Sequence, residues 1–228
     1  MYDFIVYFFW IYGSLILLLS FFIVSTFVYI TMKRPLHIVW DLDATLIASH
    51  LLPGCKDKYP PCEFPGSFAH IDEDYPFQDA EPNTLTWVRP YAKWVLWILQ
   101  FFTIQHVFTA AQKSYTENIL NKLDSKRKLF HTIIHRDCFG EGYFKRNGKD
   151  VLLVVESQEK LKRTILFDDR TTNFKHRPNN GFQVKPYSDL RPKDYEMLRI
   201  LFVIIICHFS NDVTNVLIQY NQTKKKLA

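Results

Sequence analysis

Charged residues are absent from one long stretch of this chain. Between Phe4 and Met32 there is no Asp, Glu, Lys, Arg or His, and 18 of the 27 residues up to Ile30 are Phe, Ile, Leu or Val. As an α-helix, residues 4–30 would be about 40 Å long, which exceeds the roughly 30 Å hydrocarbon core of a bilayer. A soluble core helix would be shorter, and a cleaved signal peptide would have a basic start and a small-residue cleavage site. We therefore expect one transmembrane helix at residues 4–32.

The charges that flank this segment predict its orientation. Lys33 and Arg34 follow it directly, whereas Asp3 is the only charged side chain before it. Positively charged residues favour the cytosolic side of a membrane span. We therefore expect a single-pass membrane protein with residues 33–228 in the cytosol. The basic tail at 224–228 is most simply solvated, with weak contact to the membrane surface as the alternative.

Cysteine and net charge are also low, and both argue against particular kinds of site. The four cysteines do not have the tight spacings that structural zinc sites favour, and a cytosolic domain keeps them reduced. The net charge of +5 does not resemble the basic surface of a nucleic-acid-binding protein, although it tolerates anionic lipid or a phosphorylated substrate. The expected partners are therefore a membrane and a phosphorylated protein, with no direct nucleic-acid contact.

Apolar runs that alternate with helical patterns predict an α/β domain with a central parallel sheet. The predicted strands are 37–40, 104–108, 129–135, 162–167 and a short one at 183–184, and the predicted helices are 91–101, one through Tyr115 and Leu123, and one or two within 195–220. Trp94 and Trp97 are interpreted as packing residues. Residues 136–150 predict a loop, and the proline-rich segment 50–83 predicts an irregular, cap-like insertion.

Two of the predicted strands end in paired carboxylates. Asp41 and Asp43 follow the first strand, and Asp168 with Asp169 follows the strand at 162–167. Because the carboxyl ends of parallel strands meet at one edge of a sheet, we expect both pairs to share one Mg²⁺ ion. All four aspartates are candidate ligands, although Asp43 need not bind through its side chain. Such a site suits phosphoryl transfer, since the metal neutralises the phosphate and a carboxylate can attack in line.

The residue types suggest a role for each position around this site. Asp41 fits a nucleophile that forms an aspartyl-phosphate, and Asp43 fits a general acid and base that Thr45 could orient by a hydrogen bond. Thr109 ends a strand and is predicted to start a helix, where a hydroxyl and free N–H groups can hold phosphate oxygens. Lys149 could supply a cation for the charge that develops on the phosphate.

The order and spacing of these motifs resemble the CTD-phosphatase-like family, which lies within the haloacid dehalogenase superfamily. The motifs are Asp-Leu-Asp-Ala-Thr-Leu (41–46), Arg89-Pro90, Phe108-Thr109-Ala110, Lys149-Asp150, Asp168-Asp169, Asn180-Gly181 and Lys185-Pro186. The resemblance implies a haloacid-dehalogenase-like Rossmannoid domain at 33–223 that removes phosphate from phosphoserine or phosphothreonine with Mg²⁺. The preceding span is similar to the membrane-bound dullard branch, and the divergent sequence also resembles CTD-phosphatase-like proteins of large DNA viruses of insects.

Two questions stay open at this level. The segment between Lys149 and Asp168 is a few residues longer than in the family, so Lys145, Lys160 or Lys162 could take the place of Lys149. The chain could be an active protein phosphatase, a small-molecule phosphatase, or a non-catalytic membrane adaptor with the same fold. The presence of both early aspartates favours an enzyme, because a binding module has no chemical need for them.

Overall fold

The computed structural model describes residues 2–51, 77–78, 84–126, 128–140, 142–187 and 193–227. The helices are α1 (Tyr2–Lys33), α2 (Ala92–Leu99), α3 (Lys113–Leu123), α4 (Tyr143–Asn147), α5 (Leu152–Val155), α6 (Gln158–Leu161), α7 (Glu196–His208) and α8 (Val213–Leu227). The strands are β1 (Leu36–Trp40), β2 (Ile47–Leu51), β3 (Phe77–Gln78), β4 (Thr84–Val88), β5 (Thr103–Phe108), β6 (Phe130–Ile134), β7 (Thr164–Asp168) and β8 (Gly181–Gln183). Single 3₁₀ turns occur at Arg136–Cys138, Thr171–Phe174 and Pro178–Asn180.

The central sheet has five parallel strands in the order β6-β5-β1-β7-β8. Every residue of β1 is buried, because helices cover both faces of the sheet, and all of them except His37 are apolar. Side chains alternate between the faces, so Ile38 and Trp40 join the larger core cluster while Val39 joins the smaller one. The predicted α/β fold with a central parallel sheet, preceded by one long apolar helix, is confirmed.

A second, smaller sheet was not predicted. Strands β2, β4 and β3 pair antiparallel, with β4 in the centre. The partners β2 and β4 are more than 30 residues apart in the chain, so no local turn signal marks them as a hairpin. Residues 50–51 and 77–78 belong to this sheet, although the whole of 50–83 was predicted to be an irregular insertion. The rest of that prediction, at 52–76 and 79–83, lies outside the described residues.

Short helices account for the other differences from the sequence prediction. The predicted loop at 136–150 contains a 3₁₀ turn and helix α4, and residues 152–161 form α5 and α6. Helices of four or five residues show no complete 3.6-residue period, so their pattern does not stand out. The other predicted strands and helices are present, and their ends lie within four residues of the predicted ends. The C-terminal region, for which one or two helices were predicted, forms the two helices α7 and α8.

Helix α1 is long enough and apolar enough to cross a membrane over Tyr12–Lys33, and none of that stretch is buried in the structure. Its last two turns nevertheless contact the domain. The ring of Phe27 lies 5.2 Å from that of Phe102 and 4.5 Å from that of His208, and Thr31 Oγ1 lies 3.2 Å from His208 Nε2. The helix therefore joins the domain through a packed contact at its carboxyl end.

Two buried histidines predict how stability depends on pH. His37 Nδ1 in β1 lies 3.1 Å from His106 Nε2 in β5. Burial, followed by the positive charge of Lys160, lowers the pKa of His37 to about 4, and burial together with His37 lowers the pKa of His106 to about 3. Both rings are therefore neutral at pH 7 in the folded protein.

Unfolded histidine binds a proton near pH 6.5, so the unfolded state gains protons first as the pH falls. The two neutral histidines therefore leave the free energy of unfolding undiminished above about pH 6.5. This free energy falls as the pH drops towards 4, because protonation of the unfolded state then favours unfolding. We expect the free energy of unfolding in detergent to drop by about 2 kcal/mol or more between pH 7.5 and 5. The double variant His37→Asn with His106→Asn should show a smaller drop, and an equal drop would contradict the assignment.

Candidate active site

Carboxylates from two neighbouring strands meet at the carboxyl edge of the central sheet. Asp41 follows β1, Asp168 ends β7 and Asp169 is the next residue. Oxygen atoms of all three lie within 4.8 Å of one another. The parallel pairing of Trp40 with Phe167 sets this geometry, and the Asp41 N–H extends the ladder by donating to the Phe167 carbonyl at 3.0 Å. The structure therefore brings the early and late acidic clusters together.

A buried lysine lies between these carboxylates. Lys149 Nζ donates to Asp41 Oδ1 at 2.5 Å and to Asp168 Oδ2 at 2.6 Å, and its side chain is 1% exposed. Gly148 adopts a φ of +69°, and a Cβ there would lie 3.0 Å from the Asn173 carbonyl oxygen, so the approach to Lys149 requires glycine. The three alternative lysines, Lys145, Lys160 and Lys162, are exposed.

The site holds more negative than positive charge. Burial and the repulsion of Asp168 outweigh the attraction of Lys149 and raise the pKa of Asp41 to about 7. Burial, and next the charge of Asp168, also raises the pKa of Asp169. Burial works to lower the pKa of Lys149, but the attraction of Asp41 and Asp168 is stronger and its pKa is raised. One lysine among three carboxylates leaves an all-oxygen site that fits a hard divalent cation such as Mg²⁺.

The Asp168 carboxylate is held in place by the turn that follows it. The Arg170 N–H donates to Asp168 Oδ1 at 2.8 Å, and Asn173 Nδ2 lies 2.9 Å and 2.8 Å from the two oxygens. Asn173 belongs to the 3₁₀ turn Thr171–Phe174, which brings it back over the end of β7. Sequence reasoning did not identify Asn173, because only this turn places it beside Asp168.

Asp43 lies apart from the three grouped carboxylates because a tyrosine holds its side chain. Tyr115 in α3 donates its hydroxyl to Asp43 Oδ1 at 2.6 Å, and the same hydroxyl lies 2.6 Å from Ser49 Oγ. Burial raises the pKa of Asp43, although the Tyr115 hydrogen bond opposes this. The side chain of Asp43 therefore suits proton transfer better than metal binding, and its place among the metal ligands stays a prediction.

The prediction that Thr45 orients Asp43 is wrong. Ala44 adopts a φ of 59°, and after this tight turn Thr45 is completely buried. Its Oγ1 has no hydrogen-bond partner among the described residues. Its carbonyl oxygen instead accepts a hydrogen bond from Arg89 Nη1 at 3.0 Å. Tyr115 has the orienting position that sequence reasoning gave to Thr45.

Thr109 is buried at the same sheet edge, directly after β5. It does not start a helix as predicted, because α3 begins at Lys113. Its Oγ1 accepts a hydrogen bond from the Ala111 N–H at 3.1 Å, so it lies in a turn between strand and helix. Since β5 pairs with β1, this turn adjoins the Asp41 side of the site.

Arg89 connects the active-site turn to the rest of the domain. Its side chain is fully buried, and Nη2 donates to the Lys185 carbonyl and to Asp194 Oδ2, both at 2.8 Å. Together with the bond to Thr45, these contacts tie the Asp41–Thr45 turn to the chain that follows β8. The sequence showed Arg89 only as part of a family motif, since its partners are distant in the chain.

Arg89→Lys should lower the free energy of unfolding by about 1–3 kcal/mol. A lysine keeps the positive charge but cannot form the forked contacts to Asp194 and the two carbonyls together, so buried acceptors lose their donor. Chemical unfolding in detergent measures the change, with the exposed Lys128→Arg as the matched control. Equal stability of Arg89→Lys and wild type would contradict this role.

Comparison of the sequence with known proteins gives the family of this chain. The sequence model of the NLI interacting factor-like phosphatases matches residues 36–214. The "CTD nuclear envelope phosphatase 1 homolog" of Drosophila melanogaster is 26% identical over 183 residues, covering 79% of this chain and 70% of that protein. CTD nuclear envelope phosphatase 1 of Xenopus tropicalis is 28% identical over 188 residues, again covering 79% of this chain and 70% of its own length.

Two solved structures share the fold. A fission yeast RNA polymerase II CTD phosphatase Fcp1 variant bound to beryllium fluoride has a TM-score of 0.50 and 18% identity over 78% of this chain. A second structure of Fcp1, described as an essential RNA polymerase II CTD phosphatase, has a TM-score of 0.52 and 16% identity over 84% of this chain. This chain covers 54% and 55% of those two structures. Since the family match includes more than half of the chain and every residue of the site, this chain belongs to the NLI interacting factor-like phosphatase family, a CTD-phosphatase-like group.

Proposed function

We propose that this protein is a membrane-anchored, Mg²⁺-dependent protein serine/threonine phosphatase that works through an aspartyl-phosphate. The observation that carries the proposal is the group of Asp41, Asp168 and Asp169 at the edge of the sheet, in which the buried Lys149 contacts Asp41 and Asp168. In this proposal residues 4–32 are the anchor, 33–223 the phosphatase domain on the cytosolic side, and 224–228 a basic tail.

Each residue then has a chemical task. A Mg²⁺ ion held by Asp41, Asp168 and Asp169 would neutralise charge on the phosphate. An oxygen of Asp41 attacks phosphorus, the bond to the serine or threonine oxygen breaks, and an aspartyl-phosphate forms on Asp41. Lys149 lies beside the attacking carboxylate and offers positive charge to the phosphate oxygens, and Thr109 offers a hydroxyl from the adjacent strand end.

Asp43 completes the cycle by moving protons. Its raised pKa favours a protonated carboxyl, which can give its proton to the departing serine or threonine oxygen. The resulting carboxylate then takes a proton from the water that hydrolyses the aspartyl-phosphate. The Tyr115 hydroxyl at 2.6 Å keeps this carboxyl in one orientation through both steps.

The substrate and the membrane are the finer parts of the proposal. The curated relatives carry the name nuclear envelope phosphatase, which supports a membrane location together with the apolar helix α1. Their name and the family also support a phosphorylated protein as substrate. The family and the names of the relatives favour an enzyme over an adaptor. The presence at the site of every residue that the proposed chemistry needs favours it as well.

Phosphatase assays on the full chain in detergent test the proposal. We expect Mg²⁺-dependent hydrolysis of a phosphoserine peptide and of a generic aryl phosphate, and we expect EDTA to stop both reactions. If the protein hydrolyses small phosphates but no phosphopeptide, a small-molecule phosphatase is favoured. A chain that binds Mg²⁺ but is inert towards every phosphate ester would favour the adaptor.

Tyr115→Phe should slow hydrolysis of a phosphoserine peptide by about 10-fold or more, because Asp43 loses the donor that orients it. An aryl phosphate should be affected less, since its leaving group needs little protonation. The rate ratio between the two substrates is therefore the readout, and Tyr143→Phe serves as a control outside the site. A phosphoserine-peptide rate equal to that of wild type would contradict a positioning role.

A further inference from the structure

One exposed surface of the domain is almost entirely apolar. It consists of Trp97, Phe101, Phe202, Ile205, Ile206 and Phe209, which we call the aromatic face, and each of these side chains is between 40% and 64% exposed. Phe202, Ile205 and Ile206 on α7 and Phe209 directly after it recur at helical spacing, while the opposite side of that helix buries Val203, Ile204 and Cys207 in the core. Both sides of α7 are thus apolar, although only one faces the core. Trp94 and Trp97 were both interpreted as packing residues, but their side chains are 48% and 54% exposed, which corrects that prediction.

The aromatic face is continuous with the base of helix α1. Helices α2 and α7 pack against each other. Phe27 of α1 contacts Phe102, which lies shortly after α2, and His208, which ends α7. Its ring lies 5.2 Å from that of Phe102 and 6.1 Å from that of Phe209. Phe101 adjoins Phe102, and its ring meets that of Trp97 at 5.1 Å. The apolar surface therefore begins where α1 joins the domain.

The length of α1 places this junction at a membrane surface. Residues 4–26 as a helix extend about 34 Å, which already crosses a hydrocarbon core of about 30 Å. Phe27 then lies close to the boundary of the bilayer, and so do the residues that touch it. The neighbouring segments 94–105 and 200–211 contain no Asp, Glu, Lys or Arg, so no charge would have to leave water there. Tryptophan and other aromatic side chains favour this interfacial region.

We propose that the aromatic face rests in the interfacial layer of the same bilayer that α1 crosses, so that phospholipid covers it. This inference rests on the proposed membrane anchorage. It also fixes the direction of the active site, because Leu36 and Thr103 begin β1 and β5 beside this junction, while Asp41 and Thr109 follow the far ends of these strands. A strand of five residues is about 17 Å long, so the catalytic edge points away from the lipid towards soluble phosphoproteins.

Quenching of tryptophan fluorescence by brominated lipid tests the proposal on the full chain. The protein is reconstituted into phosphatidylcholine and phosphatidylserine vesicles with or without bromine on the acyl chains. Trp97→Phe removes a tryptophan that we place in the bilayer, so the quenched fraction should fall. Trp87→Phe removes one in β4, outside the aromatic face, so the quenched fraction should rise. The two variants are therefore expected to change the quenched fraction in opposite directions.

A second variant and a flotation assay separate the possible results. Phe202→Asp with Ile206→Asp changes only exposed side chains and should abolish the quenching of Trp97, while the chain still floats with vesicles after alkaline carbonate. If Trp97→Phe raises the quenched fraction in chains that float, the docking to lipid is overturned while the membrane anchor stands. This result is expected when another membrane protein covers the aromatic face. If wild type does not float after carbonate, the anchorage and the docking both fail.

Discussion

Asp41→Asn should reduce phosphate hydrolysis by more than about 1,000-fold without unfolding the protein. An amide oxygen is a poor nucleophile, and a neutral side chain also binds a divalent cation less well. Loss of an attacking group removes the covalent step itself, which is why such variants lose several orders of magnitude in rate. The initial rate with an aryl phosphate and saturating Mg²⁺ measures the loss.

The same variant should keep or gain stability when no metal is present. Asp41 lies within hydrogen-bond distance of Lys149 but also near the carboxylates of Asp168 and Asp169. Removing one negative charge from this excess relieves repulsion, which offsets the weaker contact to Lys149. Glu159→Gln, an exposed change on α6, is the control for both activity and thermal unfolding. An Asp41→Asn protein that is inactive because it is unfolded would not support the assignment, and an active one would refute it.

Lys149→Met should produce a loss of both activity and metal-free stability. Methionine has a similar length without the charge, so Asp41 and Asp168 would face each other with no cation between them. Removing one partner from a buried ionic group costs about 3–5 kcal/mol. Loss of a positive group aimed at the phosphate should also slow hydrolysis by about 100-fold or more.

Magnesium should separate these two effects. Because the ion neutralises the carboxylates, Mg²⁺ should raise the midpoint of thermal unfolding more in Lys149→Met than in wild type, while activity stays low. Lys160→Met is the matched control, since Lys160 was one of the alternatives and is exposed. The assignment is contradicted if Lys149→Met is as stable as wild type in EDTA, or if Lys160→Met loses the same activity.

The parts of the site that the sequence predicted are those that depend on strand ends. Asp41 and Asp168 each follow an apolar run, and the rule that parallel strands end at one edge is enough to bring them together. Lys149 was identified through a family motif, and burial distinguished it from the other lysines. The long apolar helix was evident because no charged residue interrupts it.

The missed parts depend on contacts between distant residues or on turn geometry. Tyr115 is 72 residues from Asp43, and its apolar neighbours on α3 made it resemble a core residue. Thr45 was assigned by closeness in sequence, but the turn at Ala44 buries it. Asn173 reaches Asp168 only through a 3₁₀ turn. A helix with two apolar sides, such as α7, also has no sequence pattern that tells which side faces the core.

Chemical trapping of the phosphorylated enzyme tests most directly whether Asp41 attacks phosphorus. The full chain is mixed with an aryl phosphate and Mg²⁺, quenched during turnover and treated with borohydride, which reduces an acyl phosphate to an alcohol. Mass spectrometry of the peptide that contains residues 41–46 should then find homoserine at position 41, and none should form when Mg²⁺ is replaced by EDTA. Turnover that yields no reduced residue, or a reduced residue at any position other than 41, would contradict the mechanism.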